Sequence, residues 1–285
     1  MHTLKIDNII FTLPSSWNEL NRQQLLHLAR LNSQDIDLTR LRVLLLILFT
    51  GLKLVPGKGT NNLYEFAYRR RRFILSNYDI NFASEKLLAL FKPVDEEKKQ
   101  YVPDIRLTKN LIPSFRIRLT RFYGPADGLS NITLKEYIHA ETYYEQMMLT
   151  GGENKPLDLL IAVLYRPGKK SPGDNREPFD DYRINANALK VAQLNPDYKK
   201  AILFFYEGCK YHLSQLFPHA LKRKQGTGNK NPVAFKSFMQ LVDELANHQP
   251  DRKEPIRNEL LYEVLDSVDR LAQKNEELQK QQKNK

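Results

Sequence analysis

Cysteine and long apolar runs are both scarce in this sequence. Cys209 is the one cysteine among 285 residues, which excludes an internal disulfide framework and a zinc site built from several thiolates. The longest apolar run, Val43–Phe49, is far shorter than the roughly 20 residues that cross a bilayer. The N-terminal residues have no cationic segment leading into a long apolar stretch, so we expect no signal peptide. These features predict a cytoplasmic protein without a membrane partner.

Motifs that carry catalysis, cofactors or metals are lacking as well. The six histidines include no HExxH pair, and the run Gly57–Thr60 lacks the full spacing of a phosphate-binding loop. Cys209 precedes His212 by three residues on a predicted helix, but a lone cysteine on an aromatic-rich helix is more typical of a buried small residue. We therefore predict no catalytic residue, no cofactor and no metal site, although an enzyme with a less obvious site stays open.

The composition is that of a globular protein with an excess of positive charge. Hydrophobic residues make up 41% and charged residues 27%, and the net charge is +11. Residues 1–122 carry 20 Lys and Arg against 11 Asp and Glu, whereas residues 123–285 carry 24 against 22. A turn at Gly124–Gly128 separates the two regions. The sequence thus predicts a basic N-terminal α+β part at 1–122 and a helical C-terminal part at 123–285.

The hydrophobic pattern predicts a mainly α fold with a small β portion. Residues 4–13 are typical of a hairpin turning at Asp7-Asn8, and strands are expected near 104–122, where polar and apolar residues alternate. Asn21 and Thr133 are predicted helix N-caps, the latter with Glu136 in a capping box. Residues 63–75 are predicted to be helical, and a final helix is predicted over about 255–280.

Two clusters of arginine are candidates for nucleic-acid binding, because guanidinium groups neutralise phosphates. The alternative is that these side chains are solvated or pair with acids such as Glu65. The candidates are Arg69, Arg70, Arg71, Arg72, Arg116, Arg118 and Arg121.

Two further regions are candidates for protein contacts. The first is a long polar loop at 166–183, rich in Arg and aromatic residues, which are favoured interface anchors; a solvated loop is the alternative. The second is the apolar stripe of the final helix, which serves a partner or packs inside the monomer. The candidates are Tyr165, Arg166, Arg176, Phe179, Tyr182, Leu261, Leu265 and Val268.

Several phrases spread over most of the chain resemble uncharacterised proteins from phages and prophages of Bacteroidetes bacteria. They are LPSSWNELNRQQLLHLARL at 13–31, FYGPADGLSNITLKEYIHAETYYEQM at 122–147, LDLLIAVLYRP at 157–167, AILFFYEGC at 201–209, FMQLVDELA and LLYEVLDSVDRLAQKNEE. The resemblance implies a place among tail-morphogenesis proteins, hence partners in the phage tail or elsewhere in the virion. It also implies a bacterial host cytoplasm or the virion as the location, and it supplies no active-site residues.

Together these features predict a non-enzymatic tail-assembly or virion-associated protein that acts through protein–protein contacts. The alternative is a nucleic-acid-binding protein that uses the basic N-terminal part.

Overall fold

The structure is a computed structural model that describes residues 1–31, 38–55, 63–95, 100–152, 154–168, 174–221 and 233–283. Contacts between Cα atoms divide the chain into unit 1, Met1–Leu107, and unit 2, Thr108–Lys285. The run Gly57–Thr60 lies wholly outside the described residues.

Unit 1 combines short antiparallel sheets with helices. Its strands pair as β1-β2, β3-β4-β5 and β6-β7. They are β1 (His2–Ile6), β2 (Ile9–Leu13), β3 (Lys53–Leu54), β4 (Leu63–Tyr68), β5 (Arg71–Ser76), β6 (Phe91–Asp95) and β7 (Gln100–Pro103). The helices are α1 (Arg22–Arg30), α2 (Leu38–Thr50) and α3 (Asn77–Leu88).

The core of unit 1 forms where helix α2 packs against β2 and α3, and where α3 packs against β5. In β1 and β2 every second side chain is buried, which is the period of a strand with one covered face. Helix α2 is apolar on all sides from Val43 to Phe49 and contacts both β2 and α3, so this part is largely buried. It ends before Gly51, whose φ of +73° suits a helix stop. Among the helices that the structure describes, none has the length and apolar character to span a membrane.

Unit 2 is built mainly of helices around one small sheet. Its strands, in the antiparallel order β10-β9-β8, are β8 (Ser114–Ile117), β9 (Thr120–Tyr123) and β10 (Arg166–Pro167). The helices are α4 (Leu134–Leu149), α5 (Asn154–Leu164), α6 (Ile184–Val191), α7 (Pro196–Leu216), α8 (Val233–Leu245), α9 (Pro250–Asn258) and α10 (Leu261–Lys283). Helix α5 is buried along most of its length and contacts α4, α6 and α7.

The predicted helix N-caps are confirmed. The Asn21 side chain accepts a hydrogen bond from the Gln24 N–H at the start of α1. Thr133 and Glu136 form a complete capping box at the start of α4, with Glu136 Oε2 accepting from the Thr133 N–H at 2.8 Å. These local signals need only three neighbouring residues, so they could be identified from the sequence.

The predicted fold class is corrected, because the structure is mixed α/β, with 57% helix and 18% strand distributed over several small sheets. The region at 63–75, predicted as a helix, is the β4–β5 hairpin. Its turn at Arg69–Arg70 joins strands in which Phe66 pairs with Phe73, and both of these rings are buried. The strand content therefore extends well beyond the N-terminal hairpin and residues 104–122.

The final helix is interrupted where the sequence predicts a continuous one. Helix α9 ends at Asn258 and α10 begins at Leu261. Between them the Glu259 carbonyl accepts the Leu134 N–H at 3.0 Å, and Leu260 forms a β-bridge with Thr133. The break therefore satisfies a free N–H at the start of α4.

The contact-based division at 107/108 differs from the predicted boundary at 122/123. Residues between the two positions include β8 and β9, whose rings pack within unit 2. Phe115 stacks on Tyr165 with ring centroids 5.2 Å apart, and the Asn110 side chain donates to the Pro125 carbonyl at 2.7 Å. The arginines of this hairpin thus belong to the C-terminal unit.

Candidate interaction surfaces

A buried ionic cluster lies between the start of α4 and strand β10. Glu136 projects from the first turn of α4, and its Oε1 accepts from the Nη1 atoms of Arg166 and Arg176, the latter at 3.2 Å. All three side chains are buried. One carboxylate therefore neutralises part of the charge of two guanidinium groups in the interior.

All three guanidinium nitrogens of Arg176 donate hydrogen bonds to neighbouring groups. Its Nη2 donates to the Asn131 carbonyl at 2.9 Å and to Asp174 Oδ2 at 2.7 Å, and its Nη1 donates to the Leu164 carbonyl at 3.3 Å. Burial alone would raise the pKa of Asp174, but the hydrogen bonds from Arg176 outweigh this effect and lower it. Asp174 thus supplies the second negative charge of the cluster.

Arg166 completes this cluster and connects it to the loop. Its Nε donates to the Glu177 carbonyl at 2.7 Å, and its guanidinium lies 5.6 Å from the centre of the Phe179 ring. Desolvation lowers the pKa of Arg166, although Glu136 acts in the opposite direction. The ionic cluster therefore fixes the described part of the loop, residues 174–183, against the helical core.

The buried candidates from the loop serve the interior rather than a contact surface. Tyr165 is fully buried, and its hydroxyl donates to the Asn110 side chain at 3.1 Å or to the Ile112 carbonyl at 3.0 Å. Arg166 and Arg176 are enclosed by unit 2 itself. The sequence predicted contacts with another protein at these three positions, whereas the contacts that the structure shows for them are intramolecular.

The other two loop candidates lie at the surface. Phe179 is half-buried beside Arg166, whereas Tyr182 is 95% exposed. Tyr182 lies in the 3₁₀ turn Asp181–Arg183, directly before α6. On the outer side of α6, Ala186 and Leu189 are also exposed, Leu189 by 75%. We refer to Tyr182, Ala186 and Leu189 as the Tyr182 face.

Ion pairs hold the turn that presents Tyr182. Lys135 of α4 lies 3.3 Å from Asp181 and 3.1 Å from Glu254, measured from Nζ to the carboxylate oxygens. Arg183 pairs with Glu177 at 3.0 Å. Next to the turn lies a small depression lined by Pro178, Phe179, Asp180, Arg183, Ile184 and Asn187, among others.

The candidates in the final helix are mostly internal. Leu261 and Leu265 are fully buried and Val268 is half-buried. The Leu261 N–H donates to the Ile132 carbonyl at 2.9 Å, and the Tyr262 hydroxyl donates to the Gly128 carbonyl at 2.8 Å. The apolar stripe of α10 thus packs inside unit 2, which is the alternative that the sequence left open.

The four consecutive arginines are exposed on the β4–β5 hairpin of unit 1. Arg69 and Arg70 form the turn, and Arg71 and Arg72 begin β5. Arg72 pairs with Glu65 at 2.9 Å, and the Arg69 guanidinium lies 5.3 Å from the Tyr68 ring centre. Their positive groups diverge, since neighbouring strand residues point to opposite faces.

The second basic cluster is exposed on the β8–β9 hairpin of unit 2. Arg116 and Arg121 face each other across the strands, and Arg118 lies in the turn. None of these three forms an ion pair with the described residues. The same holds for Arg70 and Arg71 of the first cluster.

The structure gives no basis for catalysis by Cys209. This thiol is fully buried, and desolvation raises its pKa far above the ordinary value, so the reactive thiolate is strongly disfavoured. Within the described part of the chain, no three His, Cys, Asp or Glu side chains are grouped so that they could hold a metal ion.

His139 is a titratable group beside the Tyr182 face. It lies on α4, with its Nε2 3.8 Å from Asp181 and its ring 5.4 Å from that of Phe179. Desolvation lowers its pKa, and Lys135 and Arg257 act in the same direction, while Asp181 opposes them. The folded state therefore favours the neutral imidazole more than the unfolded state does.

We expect this preference to make stability fall on acidification. The contribution is complete above the unfolded-state pKa of about 6.5 and is lost as the pH falls towards the lower folded-state pKa. The free energy of unfolding, measured by urea denaturation between neutral and mildly acidic pH, should decline less in His139→Gln than in the wild type. Exposed His27 gives the control His27→Gln, which should keep the wild-type slope; equal slopes for all three proteins would contradict the expectation.

The sequence did not identify Glu136 as the centre of the ionic cluster or Leu189 as part of the Tyr182 face. Glu136 was identified as a helix cap, but its pairing with two arginines 30 and 40 residues away depends on the tertiary fold. Leu189 falls among apolar residues of α6 whose inner face, Ile184, Ala188 and Val191, is buried. Its position three residues after Ala186 would have indicated the outer face once the helix start was known.

No protein-family model, no curated protein and no solved structure matches this chain.

Proposed function

We propose that this protein is a non-enzymatic, phage-type tail-assembly or virion-associated protein that binds other proteins through the Tyr182 face. Assembly would take place in the cytoplasm of the bacterial host. The resemblance of several phrases to Bacteroidetes phage proteins supports the biological setting. The observation that carries the contact surface is the exposure of Tyr182 in the 3₁₀ turn and of Leu189 on the helix that follows it.

Tyrosine and leucine on this face have the chemistry of an interface centre. Tyr182 is 95% exposed, and tyrosine is enriched among residues that dominate binding energy. Covering Leu189 would contribute about 1.5–3 kcal/mol before the costs of association. Charged neighbours such as Asp180, Arg183 and Lys190 provide the polar rim that surrounds such centres.

The Tyr182 face is also rigidly supported. Helix α6 packs on α5 through its buried side, and the ion pairs of Lys135 hold the preceding turn to α4 and α9. A surface that is ordered before binding loses less conformational entropy when a partner covers it. The ionic cluster around Glu136 thus supports binding indirectly, by fixing the loop that carries Tyr182.

The test is affinity capture of the tagged full chain from bacteria in which the phage or prophage is active. We expect a protein that is also present in purified tails or virions to be captured. The double variant Tyr182→Ser/Leu189→Ser should lose at least nine-tenths of this captured protein, because both apolar contacts are removed. Both side chains are exposed, so the variant should keep the wild-type circular dichroism spectrum and unfolding curve.

A matched control is Tyr78→Ser/Phe82→Ser. These residues are 77% and 67% exposed one helical turn apart on α3 of unit 1, so the control removes a similar apolar pair elsewhere. It should capture as much of the tail or virion protein as the wild type does. Capture of no virion protein, or equal capture by the Tyr182 variant, would refute the proposal.

A further inference from the structure

The β8–β9 hairpin of unit 2 has one apolar face and one basic face. Phe115, Ile117 and Phe122 are buried, whereas Arg116 and Arg121 are exposed. Phe115 stacks between the rings of Phe122 and Tyr165, with centroids 5.5 and 5.2 Å away. The two arginines therefore stand on a rigid, well-packed support.

Arg116 and Arg121 form a cross-strand pair of like charge. They are direct partners in the β8–β9 register, and side chains at such positions have Cβ atoms about 4.5–5.5 Å apart. Like charges placed directly opposite each other destabilise a sheet. Since neither arginine forms an ion pair with the described residues, the structure itself does not offset this repulsion.

The turn of the same hairpin contains a second feature that destabilises the folded state. Arg118 has a φ of +51°, a left-handed conformation that is unfavourable for a residue other than glycine. Leu119, the other turn residue, is 96% exposed. Two unfavourable choices in one short hairpin are typical of a position selected for binding rather than for stability.

We propose that the basic face of the β8–β9 hairpin binds the phosphate backbone of double-stranded DNA through Arg116, Arg118 and Arg121. Each guanidinium presents a planar set of donors that fits phosphate oxygens. A bound polyanion relieves the repulsion between Arg116 and Arg121. The net charge of +11 favours a long polyanion over an isolated ion, because it attracts the whole ligand.

The orientation of the rings indicates a duplex rather than a single strand. Single-strand binding relies on exposed aromatic rings that stack on bases, and the hairpin turns Phe115 and Phe122 inward. What remains outside is the basic face of β8 and β9, which carries Arg116 and Arg121. Contacts from guanidinium groups to phosphates carry no sequence information, so we expect the binding to be independent of sequence.

The experiment titrates the full chain with a fluorescent DNA duplex at a series of salt concentrations. The test variant is Arg116→Gln/Arg118→Asn/Arg121→Gln, in which asparagine tolerates the left-handed turn. Loss of three phosphate contacts should reduce the slope of log K against log salt by about 2 to 3. The Kd at low salt should rise by roughly tenfold or more, because the lost contacts supplied electrostatic affinity.

A control of equal charge is Lys5→Gln/Lys53→Gln/Lys86→Gln, which removes three exposed lysines of unit 1. It should keep a slope within about 1 of the wild type, because these side chains are not part of the hairpin. Equal losses in the two variants, or no loss in the hairpin variant, would overturn the proposal. Stronger binding to a single strand, or equal competition by a polyglutamate peptide, would also overturn the assignment to duplex DNA.

Discussion

Glu136→Gln should lower the free energy of unfolding of unit 2 by about 3–5 kcal/mol. The substitution preserves the size of the side chain and an oxygen that can accept the Thr133 N–H, but it removes the charge that Arg166 and Arg176 share. Removing one partner of a buried ion pair leaves an uncompensated buried charge, which is the origin of this large cost. The measurement is urea denaturation followed by far-ultraviolet circular dichroism at neutral pH.

Two controls separate the charge from the other roles of Glu136. Glu244→Gln removes an exposed carboxylate of α8 and should change stability by no more than about 0.5 kcal/mol. Thr133→Ala removes the cap from the same helix and should cost about 1 kcal/mol. A loss in Glu136→Gln no greater than that in Thr133→Ala would show that the two buried arginines do not depend on this carboxylate.

Tyr165→Ala should be similarly severe, with a loss of about 3–5 kcal/mol, because it removes a fully buried aromatic ring and leaves a cavity. The ring stacks on Phe115, and a Cβ added at Gly124 would lie only 2.3 Å from it. Tyr165 therefore joins the β8–β9 hairpin, the turn at Gly124 and the end of α5. Thermal and urea unfolding would both measure the loss.

Tyr165→Phe isolates the hydroxyl from the ring and should cost only about 1 kcal/mol, the net value of a typical hydrogen bond. Tyr182→Ala makes the same truncation at an exposed site and should lie within about 0.5 kcal/mol of the wild type. If Tyr165→Ala were no more destabilising than Tyr182→Ala, the role of Tyr165 as a core residue would be contradicted.

Local signals in the sequence predicted the features that depend on neighbouring residues. The caps at Asn21 and Thr133 and the hairpin at Asp7-Asn8 each involve a few adjacent residues, and each is present. Residues 63–75 were predicted as a helix but form a hairpin, because their structure depends on pairing between strands. Two of their apolar residues, Phe66 and Phe73, meet only because the strands pair, and spacing along the chain does not reveal that pairing.

The candidate surfaces were harder to predict because burial is a property of the whole fold. Arginine and tyrosine are both favoured at protein interfaces, so the sequence does not distinguish Arg176 from Tyr182. In the structure Arg176 is buried against Glu136 and Asp174, whereas Tyr182 is almost fully exposed. The partners of Arg176 include residues 40 positions earlier in the chain. The periodicity of a sequence predicts which residues share a face of one helix or strand. It does not predict which residues of another helix or strand pack against that face.

The charge distribution also changes when it is assigned to the structural units. Unit 1 carries 16 Lys and Arg against 11 Asp and Glu, and unit 2 carries 28 against 22. The excess is thus +5 and +6, since Lys109 and the arginines of the β8–β9 hairpin belong to unit 2. The predicted contrast between a basic and a neutral part depended on the position of the boundary.

The division into units has a spectroscopic consequence. Trp17 is the sole tryptophan of the chain, and it is buried within unit 1. Selective excitation of the indole therefore reports on the surroundings of unit 1, while unit 2 contributes only tyrosine emission. Comparison of indole fluorescence with far-ultraviolet circular dichroism, to which both units contribute, tests whether the units lose their structure in one transition or in two.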